Sequence, residues 1–281
     1  MPTKEEILNY YDFSKLDYQI YNTAKSDISM HFGIWDENTK SHREALLNEN
    51  KVLAELAGIK VGDYVLDVGC GYGTTAIWLA KNVGCKVVGI TISQKQVDEA
   101  KEMAKKHGVE ERVDFKVMDF HKINFENETF DKIIAIESIC HSSNQPIVLG
   151  EIYRVLKSGG AFVVADGYFA KDPKNLTPKE QEIAKICFEG VHVPPLSERR
   201  QFENWLSQVG FRDIKWIDKT GNVLEISKRI SNLAKMFLPL SKILGWFGFK
   251  SITTSHVKAF IYQYPAWRDG LGVYGIFNAR K

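Results

Sequence analysis

The chain has 281 residues, enough for one large domain with insertions or two small ones. Lys+Arg number 37 against Asp+Glu 35, a formal net charge of +2, so there is no basic excess of the kind that serves a nucleic-acid partner. At 44% hydrophobic and 26% charged residues, the composition excludes both a disordered chain and a membrane-spanning one.

Residues 1–40 read as an N-terminal arm, rich in tyrosine (Tyr10, Tyr11, Tyr18, Tyr21) and ending in His31-Phe32-Gly33-Ile34-Trp35-Asp36. Acids in Met1 to Glu6 and the lack of an apolar run argue against a secretory or transit segment. The four scattered cysteines, Cys70, Cys85, Cys140 and Cys187, have neither disulfide-framework nor metal-ligand spacing, so a cytoplasmic protein without a metal is expected.

Residues 41–281 read as the main domain. Ser41-His42-Arg43-Glu44 is a capping box that starts a helix closed by Gly58. Short apolar runs then alternate with helices. The runs are Tyr64 to Val68, Lys86 to Ile90, Val113 to Val117, Lys132 to Ile136 and Ala161 to Ala165. The helices are Thr74 to Asn82, Gln94 to His107 and Pro146 to Lys157, the last closed by Ser158-Gly159-Gly160. Such alternation predicts an α/β fold with a doubly wound, mostly parallel sheet.

Beyond Asp166 the alternation stops. Helices are expected from Thr177-Pro178-Lys179-Glu180 and over Ser197 to Val209, then a strand at Phe211 to Ile217 and a final edge strand at Tyr274 to Ala279. Residues 170–200 and 222–264 are expected to form a helical lid. The second segment is apolar around Phe237, Leu238, Leu240, Ile243, Leu244, Trp246, Phe247 and Phe249. Lys235, Pro239 and Lys242 break it, so it falls short of the ~20 apolar residues of a spanning helix. Its bases, Lys228, Arg229, Lys235, Lys242, Lys250 and Lys258, face the single acid Glu225, which is compatible with peripheral contact to an anionic membrane.

The strongest chemical signal is Val65-Leu66-Asp67-Val68-Gly69-Cys70-Gly71-Tyr72-Gly73-Thr74, a strand running into a glycine turn and a helix. A dinucleotide fingerprint needs a further glycine where Thr74 stands and an acid near the end of the second strand, where Thr91 stands. An acid beside the loop instead suits a ligand carrying an amine and a sulfonium.

These residues resemble the first motif of the class I S-adenosylmethionine-dependent methyltransferases. Gly89-Ile90-Thr91-Ile92-Ser93-Gln94-Lys95-Gln96 resembles the branch that holds cyclopropane synthases and sterol, tocopherol and sugar methyltransferases. His31 to Asp36 and Ala135-Ile136-Glu137-Ser138-Ile139-Cys140-His141 are similar to segments of rebeccamycin-type small-molecule methyltransferases. The resemblance implies a seven-stranded Rossmann-like sheet. It implies S-adenosylmethionine held by Asp67, Gly69, Cys70, Gly71, Gly73, Thr91, Ile92, Ser93, Gln96, Asp119, Phe120, Ile136 and Glu137. Ser93 and Gln96 would replace the missing ribose acid, and Asp119 would hold the adenine amine.

His141, Asp166 and Glu137 are the expected catalytic residues. His141 is read as the base because an unperturbed imidazole titrates near pH 6.5, and Asp166 as its orienting partner. His31, Trp35, Tyr21 and His141 are expected to touch a small apolar or aromatic acceptor, methylated on O, N or C. Two alternatives stand beside this reading: a cyclopropane-synthase-like lipid methyltransferase, to which Cys140 lends some support, and a non-catalytic S-adenosylmethionine-binding protein.

Overall fold

A computed structural model describes Ser29 and residues 31–190, 194–246 and 254–281. Tyr10, Tyr11, Tyr18, Tyr21, Phe247 and Phe249 lie outside the described residues. Helix α1 (His42–Ala57) starts where Ser41 accepts from the Glu44 amide, and Gly58, at φ +63°, closes it. Glu44 returns its carboxylate to the Lys40 amide at 2.8 Å.

The alternating part follows in the expected order: β1 (Tyr64–Val68), α2 (Thr74–Asn82), β2 (Lys86–Thr91), α3 (Gln94–His107), β3 (Val113–Val117), β4 (Phe130–Ile136), α4 (Gln145–Val155) and β5 (Leu156–Phe169). Then come α5 (Pro178–Gly190), α6 (Arg199–Val209), β6 (Arg212–Asp218), α7 (Thr220–Trp246), α8 (Thr254–Arg268) and β7 (Gly272–Arg280). The seven strands run β3-β2-β1-β4-β5-β7-β6, with β7 antiparallel to both neighbours. No helix among the described residues is long and apolar enough to cross a membrane.

Several boundaries differ from the sequence expectation, most of all that of β5, which runs from Leu156 to Phe169 rather than from Ala161 to Ala165 and takes in Ser158-Gly159-Gly160, expected to close the preceding helix. Helix α4 ends at Val155 rather than at Lys157, because the Glu128 and Thr129 amides take the Arg154 and Val155 carbonyls and Leu156 pairs with Phe130. Helix α6 starts at Arg199 rather than Ser197, whose carbonyl is held by the Phe169 amide. Strand β7 is interior, not the edge. It slots between β5 and β6, while β6, carrying Arg212, Asp213, Lys215 and Asp218, forms the charged edge that discourages further pairing.

Alternation along β1 sends Leu66 into one core and Val65 into the other. The first core packs Val148, Leu149 and Ile152 of α4 and Phe202 and Leu206 of α6 against Ile133, Phe162 and Phe277. The second packs α2 and α3, through Ile77, Leu79 and Val97, against Val87 and Phe115. Each fully buried side chain of this size stabilises by roughly 1.5–3 kcal/mol. The chain winds outward from β1 to β3 and then returns to β4, so the order reverses between β1 and β4. A crevice therefore opens beyond their carboxyl ends.

Candidate active site

A cavity of about 390 Å³ occupies that crevice. Asp67, Gly69, Cys70, Gly71, Thr91, Ile92, Ser93, Gln96, Asp119, Phe120, Ile136 and Glu137 line it, as do His31 and His141. Gly73 does not. It sits beneath the turn at φ +75°, where a Cβ would lie 2.4 Å from the Phe115 ring. Gly71, at φ +52°, is the opposite case: a Cβ there would meet nothing within 4 Å, so its backbone borders open space.

Asp67 is the penultimate residue of β1, paired with Gly89 and Ile134. It is 3% exposed, and its Oδ2 has no hydrogen-bond partner among the described residues. Burial raises its carboxyl to about 7, with His31 pulling slightly the other way.

The rim beyond β2 is built by capping. Ser93 accepts from the Gln96 amide at 3.3 Å and starts α3, while Thr91 Oγ1 donates to Gln96 Oε1 at 2.6 Å. Thr91, standing where a ribose acid would otherwise be, thus fixes Gln96 beside it. Past β3, Met118 and Phe120 add apolar surface. His121, which the sequence reading missed, bridges Asp119 Oδ1 at 2.7 Å and Ser142 Oγ at 2.8 Å. An acid followed two residues later by His is a local signal that would have found it.

The end of β4 carries the reactive-looking groups. Ser138 Oγ donates to the Val68 carbonyl at 2.6 Å and approaches so closely that a Cβ on Gly69 would lie 2.4 Å from its Cβ. Glu137 adopts φ +45°, a left-handed conformation that costs a non-glycine residue roughly 1 kcal/mol or more. Its Oε1 accepts from the Phe32 amide at 2.8 Å and contacts the Tyr274 hydroxyl at 2.9 Å. The same hydroxyl reaches Glu49 Oε1 at 2.8 Å, and Glu49 Oε2 pairs with His31 Nδ1. Burial, reinforced by Glu49, pushes the Glu137 carboxyl well above the usual carboxylate range.

His141 lies on a 3-10 turn, Ile139–His141, and burial lowers it to about 4. The near-neutral imidazole expected from the sequence is therefore replaced by one that stays neutral at pH 7. Asp166 is not on the cavity wall. Its Oδ2 accepts from the Cys140 amide and its Oδ1 from the Gly167 amide, both at 2.9 Å, so it anchors the turn's backbone rather than holding the His141 side chain. Cys140 is itself buried and is not among the lining residues.

Trp35 is also off the wall. It stacks on His42, with centroids 6.5 Å apart, lies under the Arg229 guanidinium, and its backbone amide donates to the Asn222 carbonyl while its carbonyl accepts from the Asn222 side-chain amide. It ties the segment after His31 to the start of α7. Glu49 and Tyr274 escaped the sequence reading because they stand 225 positions apart and neither belongs to a local motif.

A family profile described as a methyltransferase domain matches residues 59–226. The chain is 32% identical over 240 residues to a sterol 24-C-methyltransferase of Saccharomyces cerevisiae, covering 80% of this chain and 62% of that protein. It is 32% identical over 198 residues to the 27-O-demethylrifamycin SV methyltransferase of Amycolatopsis mediterranei, covering 70% and 71% of the two chains. The fold matches that of the cyclopropane synthase MmaA2 from Mycobacterium tuberculosis with a TM-score of 0.84 at 15% identity, over 100% of this chain and 99% of the other. The chain thus spans less than two thirds of the sterol methyltransferase it resembles.

Proposed function

The chain belongs to the methyltransferase domain family, and on that premise we propose that it transfers a methyl group from S-adenosylmethionine to a small apolar or aromatic acceptor. The observation that carries the reading is the buried, unsatisfied Asp67 Oδ2 beside the open backbone of Gly71, at the strand edge where the sheet order reverses. A buried carboxylate without a partner is costly, and a cationic ligand removes that cost. These residues fit S-adenosylmethionine: Asp67 would hold its charged end, Gly69 and Gly71 would leave it room against the backbone, Gln96 and Ser93 would hold its sugar, and Met118 and Phe120 would offer apolar surface to its base.

S-adenosylmethionine supplies an electrophilic methyl carbon on a sulfonium. The protein's part is to hold the acceptor in line with that carbon and to take up the acceptor's proton where it has one. Neutral His141 is a hydrogen-bond partner for the acceptor. With its imidazole lowered to about 4 it binds a proton too weakly to be the base near neutral pH. Glu137, with its raised proton affinity, is the better base once ionised, and Asp166 positions the turn that presents His141.

In this reading the described part of the N-terminal arm, residues 31–40, and the described parts of the segments 170–200 and 222–264 cover the acceptor side. Pro194 on the cavity wall supports the first of the two segments. No metal and no nucleic acid take part, and the four free thiols suit a cytoplasmic setting.

Labelled S-adenosylmethionine offered with phenols, sugars, amines, prenyl diphosphates, sterols and phospholipids, beside calorimetric cofactor binding, tests the proposal. Transfer to an apolar or aromatic class supports it. Binding without transfer to any class favours a non-catalytic binding protein, and absence of binding overturns the proposal.

A further inference from the structure

Glu137 poses a problem for its own role, since a carboxyl that holds a proton is no base. The groups around it suggest how the proton is moved aside. Glu49 on α1, Tyr274 on β7, Asp166 on β5, His31 before α1, Asp67 on β1 and His141 on the 3-10 turn all face this region. Glu49 is fully buried and Tyr274 fully buried, so water is excluded from the contact between them.

Hydrogen atoms can be counted here. The Tyr274 oxygen lies 2.8 Å from Glu49 Oε1 and 2.9 Å from Glu137 Oε1. Two oxygen–oxygen contacts of that length need two hydrogens, and a phenol has one. The second must sit on a carboxyl. Burial and the two acids hold the phenol far above its ordinary range, so it stays protonated and the pair of carboxyls shares a single proton.

We propose that the Tyr274 hydroxyl passes this proton between Glu137 and Glu49, making Glu49 a positioning residue that stores it while Glu137 faces the cavity as a carboxylate. In one state Glu137 donates to Tyr274, which donates to Glu49. In the other Glu49 donates to Tyr274, which donates to Glu137. The shift moves two hydrogens, each along one hydrogen bond, and exchanges no proton with solvent. His31, bonded to the far oxygen of Glu49, steadies the storage end.

The inference rests on the methyl-transfer reading for its purpose. A positive charge in the cavity favours the state with Glu137 ionised. The acceptor's electron pair then forms its bond to the methyl carbon as the carbon–sulfur bond breaks with its pair left on sulfur. The proton released by the acceptor goes to Glu137, and both carboxyls end neutral.

Infrared spectroscopy of the full ligand-free chain with labelled carboxyl carbons reads the shared proton directly. The wild type should show one protonated carboxyl from this pair at neutral pH. That band should vanish in Glu137→Gln and also in Glu49→Gln, because either glutamine amide supplies the missing hydrogen to Tyr274. Persistence of the Glu137 band in Glu49→Gln overturns the proposal, since it makes Glu137 a carboxyl protonated on its own account.

Tyr274→Phe severs the bridge while leaving both acids. It should lower kcat at neutral pH by tenfold or more, shift the kcat profile to higher pH and leave S-adenosylhomocysteine affinity unchanged. An unchanged profile overturns the proposal. If the wild type binds no cofactor at all, the methyl-transfer reading fails, and the infrared result still decides whether the pair shares a proton.

Discussion

The backbone amide of Phe32 donates to Glu137 Oε1 at 2.8 Å, so the segment ahead of α1 is fastened to the carboxyl at the end of β4 across 105 positions of sequence. The Phe32 ring also meets Tyr274 edge-on, with centroids 5.7 Å apart. The part of the arm that is described is therefore built into the site, and Glu137 is held by three elements at once.

Glu137→Gln keeps the size of the side chain but removes its capacity to take a proton. Turnover should fall by about 10²–10⁴-fold if the acceptor loses a proton, with cofactor affinity retained. Turnover near the wild-type level would show that the acceptor needs no base from this position.

Asp67 gives a pH dependence with a definite sign. Its folded, ligand-free carboxyl is raised to about 7 from an ordinary 3.8, so the folded state binds more protons than the unfolded one between those values. Stability contributed through this group therefore falls as pH rises from about 4 to 7, while affinity for a cationic ligand rises by up to tenfold per unit and levels off above 7. Asp67→Asn should raise the melting temperature of the ligand-free protein at pH 8 and weaken cofactor binding. Calorimetry in buffers of different ionisation enthalpy should show proton release on binding at pH 6.5 in the wild type alone.

His141 and His42 act in the opposite direction. Both are lowered by burial from 6.5 to about 4, so the unfolded chain binds more protons in that interval and stability is lost as pH falls through it. Each contributes on the order of 3 kcal/mol to acid unfolding. Replacing His42, which is off the cavity wall, with Gln should flatten the loss between pH 6.5 and 4 in denaturant titrations. His141→Ala should cut turnover by about 10²-fold without changing cofactor affinity.

Two glycines in one turn should respond differently. Gly73→Ala sets a Cβ 2.4 Å from Phe115 and should cost several kcal/mol, enough to lower the melting temperature sharply. Gly71→Ala meets no atom and should cost only about 1–2 kcal/mol for its left-handed backbone, while weakening cofactor binding strongly. Thermal melts and binding isotherms of the pair separate a packing role from a ligand-facing one.

Activity should be unaffected by EDTA. His31, Glu49 and Glu137 approach one another closely, but His31 Nδ1, both Glu49 oxygens and Glu137 Oε1 are engaged with each other or with Tyr274. Loss of turnover in EDTA, restored by Mg²⁺, would contradict this.

The parts legible in the sequence were those written locally. Strand and helix periods, the cap at Ser41 and the glycine turn all depend on residues within a few positions of each other, and most boundaries agree with the structure to within a residue or two, whereas β5 begins five residues before and ends four beyond the expected Ala161 to Ala165. The cavity-lining set from Asp67 to Glu137 was what the resemblance to class I methyltransferases implied, and the doubly wound sheet brings those strand ends together.

The rest depended on contacts that no local pattern encodes. That β7 lies inside the sheet is settled by pairing with both β5 and β6, not by its place at the end of the chain. Trp35 and Asp166 carry residue types suited to a site, yet packing turns one onto His42 and the other onto backbone amides. The shift of His141 to about 4 is an effect of burial, which residue identity alone does not contain. Glu49 and Tyr274 became visible only when the fold set them on either side of one hydrogen bond, since proton affinity is fixed by neighbours in space and sequence records only neighbours along the chain.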